Sequence, residues 1–118
     1  GKAEAAREAL NWVANGASDK AYRDIARLRL AALQLDAKAY DEALKQLALE
    51  FTPEMSGLAA DLRGDVLQAK GQSGEAIAAY QQAWKKLADT PDYRRLVQAK
   101  LNALGIDPDA AAVLETSK

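Results

Sequence analysis

The chain has 118 residues, of which 49% are hydrophobic, and its sixteen lysines and arginines are balanced by seventeen aspartates and glutamates. This length suits one domain with a single core, and the mixed charges exclude the strongly basic surface that binds nucleic acid or anionic membranes. The chain contains neither cysteine nor histidine, which excludes thiol nucleophiles, imidazole bases, zinc fingers and haem ligation.

Helix-terminating residues divide the sequence into short helical segments. Asn15-Gly16 is typical of a helix end, Ser18 or Asp19 can cap the next helix, and Pro53 suits the first turn of another. β-Branched residues are sparse and do not alternate with polar ones, so no strand is predicted. The predicted helical segments are residues 3–13, 19–37, 41–47, 58–70, 75–87 and 91–104, with a tail, 106–118, that forms at most one weak helix.

The sequence contains an internal repeat. A shift of thirty-three residues aligns positions of similar size and polarity, for example Lys38 with Gly71 and Glu42 with Glu75. A helix–turn–helix unit of about 34 residues is typical of tetratricopeptide repeats. We therefore predict an all-α, tetratricopeptide-like helical-repeat solenoid of antiparallel helix pairs with a C-terminal capping helix. Its predicted parts are the second helix of a truncated repeat (1–15), two repeats (19–51 and 54–88), the capping helix (90–105) and the tail (106–118).

Small residues are expected where the helices of a repeat cross, with bulky residues one turn further along. Gly64 suits such a crossing despite a helix-propensity cost of about 1 kcal/mol relative to alanine, and Gly71 suits a turn with left-handed backbone. The first repeat departs from the pattern at Glu50, where the second has Ala83. The predicted structural positions are Ala31, Ala43, Leu47, Gly64, Gly71, Ala76, Tyr80 and Ala83.

Two short motifs near these glycines suggest other functions. Arg63-Gly64-Asp65 matches a receptor-binding tripeptide, and the glycine-rich run 71–74 suggests a phosphate loop. The tripeptide is predicted in the middle of a helix and not on an exposed loop. The glycines lack the preceding strand and the following Gly-Lys-Ser/Thr that a phosphate loop requires. We interpret both motifs as consequences of helix packing.

The first helix of each pair is expected to line the concave side of the solenoid. Such a groove suits an extended or helical segment of a partner protein. The alternative is that upstream repeats, or the closing helix from Pro91, fill the groove. The predicted groove consists of Ile25, Leu28, Ala32, Leu35 and Asp36 from one repeat, and Leu58, Asp61, Asp65, Gln68 and Ala69 from the next.

Asp61 and Asp65 lie four residues apart and therefore share a helix face, as paired carboxylates of a metal or acid–base site would. Without histidine, cysteine or a third carboxylate at suitable spacing, oxygen-only metal binding would be weak. We expect instead that one of them pairs with the neighbours of Arg63 or with a basic residue across the groove. No catalytic residue, metal site or cofactor is predicted.

Charged and aromatic residues elsewhere are expected to have structural roles. Lys85 and Lys86 suit a helix C-terminus, where cations complement the helix dipole. The aromatic residues Trp12, Tyr40, Tyr80 and Trp84 are expected at contacts between helices, with Trp84 partly exposed. The cations of the closing helix, expected on its solvated outer face, are Arg94, Arg95 and Lys100.

The stretch ADLRGDVLQAKG, residues 60–71, resembles the YfgM family. The resemblance continues at Ala79-Tyr80, at QAKLNAL (98–104) and at ARLRLA (26–31), and it covers about residues 19–105. Members of that family are inner-membrane proteins with one N-terminal transmembrane helix and a periplasmic tetratricopeptide-like domain. They associate with the SecYEG translocon and the periplasmic chaperone PpiD. The family offers no catalytic residues to transfer.

The residues alone predict a non-enzymatic helical-repeat scaffold for protein binding. The resemblance implies a position on the periplasmic side of the bacterial inner membrane, with an anchor helix before Gly1. It also implies the SecYEG translocon, a PpiD-like chaperone and unfolded clients as partners. No contact with nucleic acid, or of this stretch with the membrane, is expected. The alternatives are a self-associating module and a cytosolic module that binds a transcription factor or response regulator.

Overall fold

The computed structural model describes residues 2–16 and 19–109, which form helices and connecting turns without a strand. The all-α class is therefore confirmed. No helix in this part of the chain combines the length and apolarity needed to cross a membrane. The helices are α1 (Lys2–Gly16), α2 (Lys20–Asp36), α3 (Tyr40–Leu47), α4 (Pro53–Ala69), α5 (Ser73–Lys86) and α6 (Pro91–Ala103).

Each helix packs on the next, and α2 also packs on α4. The resulting stack measures 51 × 30 × 21 Å, with a radius of gyration of 15.1 Å. A globule of this length would have a radius of about 13 Å. The elongation is expected when helix pairs stack in one direction and contact only their neighbours.

Three helix ends show the repeat directly. Lys38, Gly71 and Gly105 have left-handed backbone, with φ of 61°, 88° and 83°. They follow α2, α4 and α6 at spacings of 33 and 34 residues. In each turn the next amide donates a hydrogen bond to a carbonyl five residues back, the pattern of a Schellman motif. These bonds are Ala39 N to Gln34 O (2.7 Å), Gln72 N to Leu67 O (2.9 Å) and Ile106 N to Leu101 O (2.9 Å).

The repeated turn shows how the helices correspond. Because α6 ends in the same turn as α2 and α4, it stands where the first helix of a third repeat would stand. Two helix starts also differ from the sequence prediction: α4 begins at Pro53 instead of residue 58, and α5 begins at Ser73. The early start of α4 follows from proline in its first turn, which is preorganised for helix.

Two hydrophobic clusters of the described residues meet along α4 and form most of the core. One lies between α2, α3 and α4, and the other joins α4, α5 and α6. The small residues at the predicted crossings are fully buried, including Ala31, Ala43, Ala76 and Ala83 at 0% exposure. The first cluster contains Ala31, Ala43, Leu47, Ala59 and Val66. The second contains Leu67, Ala76, Ala79, Tyr80, Ala83, Trp84, Leu87, Val97 and Leu101.

The two tryptophans depart from expectation in opposite directions. Trp12 is 77% exposed, because α1 packs mainly on α2 and its outer face has no cover among the described residues. Trp84 is 9% exposed and belongs to the second core cluster. The guanidinium of Arg94 lies 3.4 Å from the centroid of the Trp84 ring and covers it. The expected contact between helices was therefore wrong for Trp12. Trp84 makes the expected contact, and only its expected partial exposure was wrong.

Helices α4 and α5 come close together at Gly64, where a Cβ atom would collide with the ring of Tyr80. We expect Gly64→Ala to lower the free energy of unfolding by about 1–3 kcal/mol, because the steric strain exceeds the gain in helix propensity. Urea denaturation followed by circular dichroism measures this change.

Gly74→Ala is the matched control, since Gly74 is also helical but a Cβ there meets nothing within 4 Å. Its stability should stay equal or rise by up to about 1 kcal/mol. Equal effects of the two substitutions would contradict the assignment of Gly64 to a close helix crossing.

Candidate functional site

The residues of the predicted groove differ widely in exposure. Asp36, Gln68 and Ala69 are exposed, whereas Asp61 is buried at 2% exposure. Leu28 and Leu35 pack against the first core cluster, so their side chains are shared between core and surface. The groove residues of intermediate exposure are Ile25, Leu28, Ala32, Leu35, Leu58 and Asp65.

Asp61 and Asp65 form a polar cluster with residues of α5 and α6. Lys100 Nζ lies 3.0 Å from Asp61 Oδ1 and 3.1 Å from Asp65 Oδ1. The hydroxyl of Tyr93 donates to Asp61 Oδ2 at 2.7 Å, and that of Tyr80 donates to Asp65 Oδ1 at 2.6 Å. Both carboxylates are therefore engaged within the protein. Helix α6 lies over the part of the predicted groove that Asp61 and Asp65 form, which is its acidic end.

The cluster shifts the titration of its proton donors. Burial, reinforced by the hydrogen bond to Asp65, raises the pKa of Tyr80, and burial with the hydrogen bond to Asp61 raises the pKa of Tyr93. Burial by itself would lower the pKa of Lys100, but the hydrogen bond and charge of Asp61, together with Asp65, outweigh it and raise that pKa. All three groups hold their protons more tightly in the folded protein than in the unfolded chain.

Two cations of α6 do not lie on a solvated outer face. Lys100 is held by the two aspartates, and Arg94 stacks on Trp84 and donates from Nε to the backbone oxygen of Trp84 at 2.8 Å. The prediction of a solvated face was wrong for both, because each has a partner on the preceding helices. It holds for Arg95, which is exposed.

Two polar side chains of α2 fix the connection between α3 and α4. The Asp24 side chain is fully buried, and its Oδ2 accepts a hydrogen bond from the backbone amide of Thr52 at 2.8 Å. Arg27 Nη1 donates to the backbone oxygen of Glu50 at 2.9 Å. These contacts hold residues 48–52 against α2, and nothing in the sequence pattern indicated them.

A surface pocket of about 520 Å³ lies beside this connection. We call it the α3–α5 pocket. It contains none of the predicted groove residues, and the structure alone revealed it. One sequence feature could have pointed to the pocket, because the segment 41–47 was predicted to be a shorter helix than its counterpart in the second repeat. The pocket is lined by Leu47, Leu49, Phe51, Ser56, Ala59, Ala60, Arg63, Leu67, Glu75, Ala78, Ala79, Gln82 and Lys86.

The pairing of Asp61 and Asp65 with Lys100 bears on their chemistry. Their oxygens accept from an ammonium and two phenols, and no set of three or more acidic side chains within residues 2–16 and 19–109 is placed to hold a metal ion. The expected pairing with a basic residue is confirmed, and that residue is Lys100. The arrangement acts as a structural clamp between α4 and α6.

Comparison with known proteins gives one family and two relatives. Residues 1–106 match the family described as a tetratricopeptide repeat-like domain. The chain is 34% identical over 95 residues to the ancillary SecYEG translocon subunit of Neisseria gonorrhoeae (strain ATCC 700825 / FA 1090), which covers 80% of this chain and 46% of that protein. It is 36% identical over 89 residues to the protein of the same name in Escherichia coli (strain K12), covering 75% and 43%.

The chain thus spans less than half the length of these curated relatives. No solved structure shows a significant match. The matches confirm the resemblance to the YfgM family and the tetratricopeptide-like fold that the sequence predicted.

We expect Lys100→Met to lower the free energy of unfolding by about 2–4 kcal/mol, because it leaves the charge of the buried Asp61 without a cation. Denaturant unfolding measures the loss. Adding Asp61→Asn to this variant should restore part of it, since a neutral amide can still accept from Tyr93 without carrying a charge.

The control is Lys70→Met, which breaks the exposed pair between Lys70 and Asp41 (2.7 Å). Exposed pairs contribute little because water screens them, so the unfolding midpoint should barely move. A loss as large as that of Lys100→Met would contradict the importance of burial.

The free energy of unfolding should fall above about pH 10. The raised pKa values of Tyr80, Tyr93 and Lys100 mean that the unfolded chain releases protons first, at their ordinary pKa values of 10.0 and 10.5. The stabilisation is complete below those values and is lost as the pH rises towards the folded-state values. Urea midpoints measured from about pH 8 to pH 12 should decline less steeply for Tyr93→Phe than for the wild type.

Proposed function

Because this chain belongs to the tetratricopeptide repeat-like domain family, we propose that it is a scaffold for protein–protein interaction. The single observation that carries this proposal is its identity of 34–36% to two proteins named ancillary SecYEG translocon subunit, along three quarters or more of the chain. Stacked helix pairs present extended surfaces that bind protein segments. The proposed partner is the SecYEG translocon.

We propose further that the domain is periplasmic, is attached to the inner membrane, and links the translocon to a PpiD-like chaperone or to emerging unfolded clients. These details are what the resemblance to the YfgM family implies. The acidic pI of about 5.5 and the mixed charges support protein partners over nucleic acid or membrane surface.

A non-enzymatic role is part of the proposal. The chain has no cysteine or histidine to serve as nucleophile or base. Asp61, Asp65 and Lys100 form a polar cluster in which they bind one another, and Asp61 is buried. A substrate would have to displace these structural contacts to reach them.

The proposed contact surface is the accessible part of the predicted groove. Asp36, Gln68 and Ala69 are exposed along it, and Leu28 and Leu35 contribute half-buried apolar surface. Asp61 supports this surface from beneath and does not contact the partner. Substitutions for a test therefore belong at the exposed positions, where they do not disturb the core.

Self-association is a second candidate, which the exposed aromatic side chains favour. Trp12 is 77% exposed and Tyr22 is 67% exposed, an unusual display of large apolar groups on a small domain. Sedimentation velocity over a range of concentrations tests it. A dimer that Trp12→Ala converts to monomer would support self-association, and a monomer throughout would exclude it.

Site-specific photo-cross-linking tests the translocon contact in cells that express the protein as its gene encodes it. A photo-reactive amino acid at Asp36 or Gln68 should give covalent products with translocon subunits. Glu42 and Lys45, exposed on α3, are the matched control positions and should give none. Products of equal yield from all four positions would contradict the groove, and products from Glu42 and Lys45 alone would place the contact on the opposite face.

A further inference from the structure

The α3–α5 pocket exists because the second helices of adjacent repeats differ in length. α3 has 8 residues, whereas α5 has 14. Beyond Leu47 the chain passes through residues 48–52 to α4, so no helix of the first repeat lies along the remaining surface of α4 and α5. The pocket occupies this place, with a volume of about 520 Å³, within the usual range for binding sites.

The pocket has a mixed polar and apolar lining with a floor of small residues. Ala59 and Ala79 are buried at 5% and 8% exposure, and Ala60 and Ala78 lie beside them on the same two helices. Leu49, on the rim, is 42% exposed. Small side chains on the floor allow another backbone to come close, and the exposed leucine offers apolar area that a ligand would cover.

The wall formed by residues 48–52 is held in place before any ligand arrives. Asp24 accepts from the Thr52 amide and Arg27 donates to the Glu50 carbonyl, so α2 anchors the segment that carries Leu49. A preformed wall lowers the conformational entropy that binding would otherwise cost. The pocket is therefore built for binding without rearrangement of the main chain.

The charges around the pocket are not neutralised by the protein itself. Arg63 and Lys86 line it, yet within residues 2–16 and 19–109 neither has a partner in an ion pair or a side-chain hydrogen bond. Lys70 and Lys100, by contrast, are paired with aspartates. Glu75 lies at the other end of α5 from Lys86. The packing of Gly57 against Lys86 and of Gly64 against Tyr80 puts Arg63 about midway between Lys86 and Glu75. The pocket thus has a free cation at one end, a second near its middle and an anion at the other end.

We propose that the α3–α5 pocket binds an amphipathic helix of a partner protein, which places apolar side chains on the alanine floor and acidic residues against Lys86 and Arg63. The occupant is a helix because the backbone groups of α4 and α5 are already paired within their helices. They offer no edge to which a strand could add, whereas a helix satisfies its own backbone.

The pocket also specifies the length and direction of that helix. Glu75 and Lys86 are eleven residues apart on α5, which corresponds to about 16 Å and about three turns. Acidic residues favour the first turn of a helix and basic residues the last. The occupant therefore runs antiparallel to α5, with its acidic N-terminus at Lys86 and its basic C-terminus at Glu75.

This inference concerns a surface other than the predicted groove and does not depend on the translocon as partner. It is tested with a synthetic peptide of about three to four turns. The peptide is blocked at both ends, with leucines on one face, glutamates in the first turn and lysines in the last. Titration of the isotope-labelled 118-residue chain, followed by amide chemical shifts, locates the site and gives the affinity.

The expected result is saturable shifts at the pocket-lining residues of α4 and α5. Ala78→Arg, which places a large charged group on the exposed edge of the floor, should abolish them. Ala99→Arg is the matched control, since Ala99 is an exposed helical alanine on α6, outside the pocket. Circular dichroism verifies that both variants keep their helices.

The charges are tested by reversing them on the protein. Arg63→Glu with Lys86→Glu should weaken binding about fivefold to tenfold, as expected for two exposed ion pairs. The same variant should bind more tightly than the wild type to a peptide in which glutamates and lysines are exchanged. A reversal of preference cannot arise from misfolding.

Three results would overturn the proposal. The first is the absence of saturable chemical-shift changes up to about 2 mM peptide. The second is a set of shifts that map to Leu28 and Leu35 and persist in Ala78→Arg. The third is equal affinity of the wild type and the charge-reversed variant for both peptides. None of these touches the translocon proposal, which is read from cross-links at Asp36 and Gln68.

Discussion

The close approach of α5 to α4 at Gly64 is the constraint on which the rest of the structure depends. The ring of Tyr80 lies on Gly64, where even one methyl group would collide. In this position the Tyr80 hydroxyl reaches Asp65 and donates a hydrogen bond to it. Asp65 and Asp61 together form ion pairs with Lys100 of α6. Gly64 therefore sets the distance between α4 and α5. Through Tyr80 and the two carboxylates it also sets the position of α6.

This chain of contacts explains why paired aspartates on one helix face are structural in this protein. Two neighbouring carboxylates would repel each other, and burying one alone would be costly. The ammonium of Lys100 balances them, while Tyr80 and Tyr93 donate to the remaining oxygens. The same residue pattern in a histidine-containing chain would have suggested catalysis. Here the partners make α6 part of the stack, in the place of a first helix of a third repeat.

The two faces of the stack carry different kinds of surface. The predicted groove is closed at its acidic end by α6 and keeps exposed positions at Asp36, Gln68 and Ala69. On the side where α3 stops, the α3–α5 pocket combines an apolar floor with unpaired cations. A scaffold with the two proposed surfaces would hold two different protein segments at once.

The sequence by itself determined the helices, the repeat and the small residues at the crossings. Each of these depends on local propensity and on a period of about 34 residues, and both are visible along the chain. Lys38 and Gly71, which the shift of thirty-three residues aligns, occupy the same type of turn after α2 and α4. The tertiary structure alone decided which polar groups meet. Lys100 lies 39 residues from Asp61 and Arg27 lies 23 residues from Glu50, and such separations leave no periodic trace. Tertiary packing also decided the exposure of Trp12, the burial of Trp84 and the pocket beside α3. Each of these depends on which neighbouring helix covers a surface and where that helix ends.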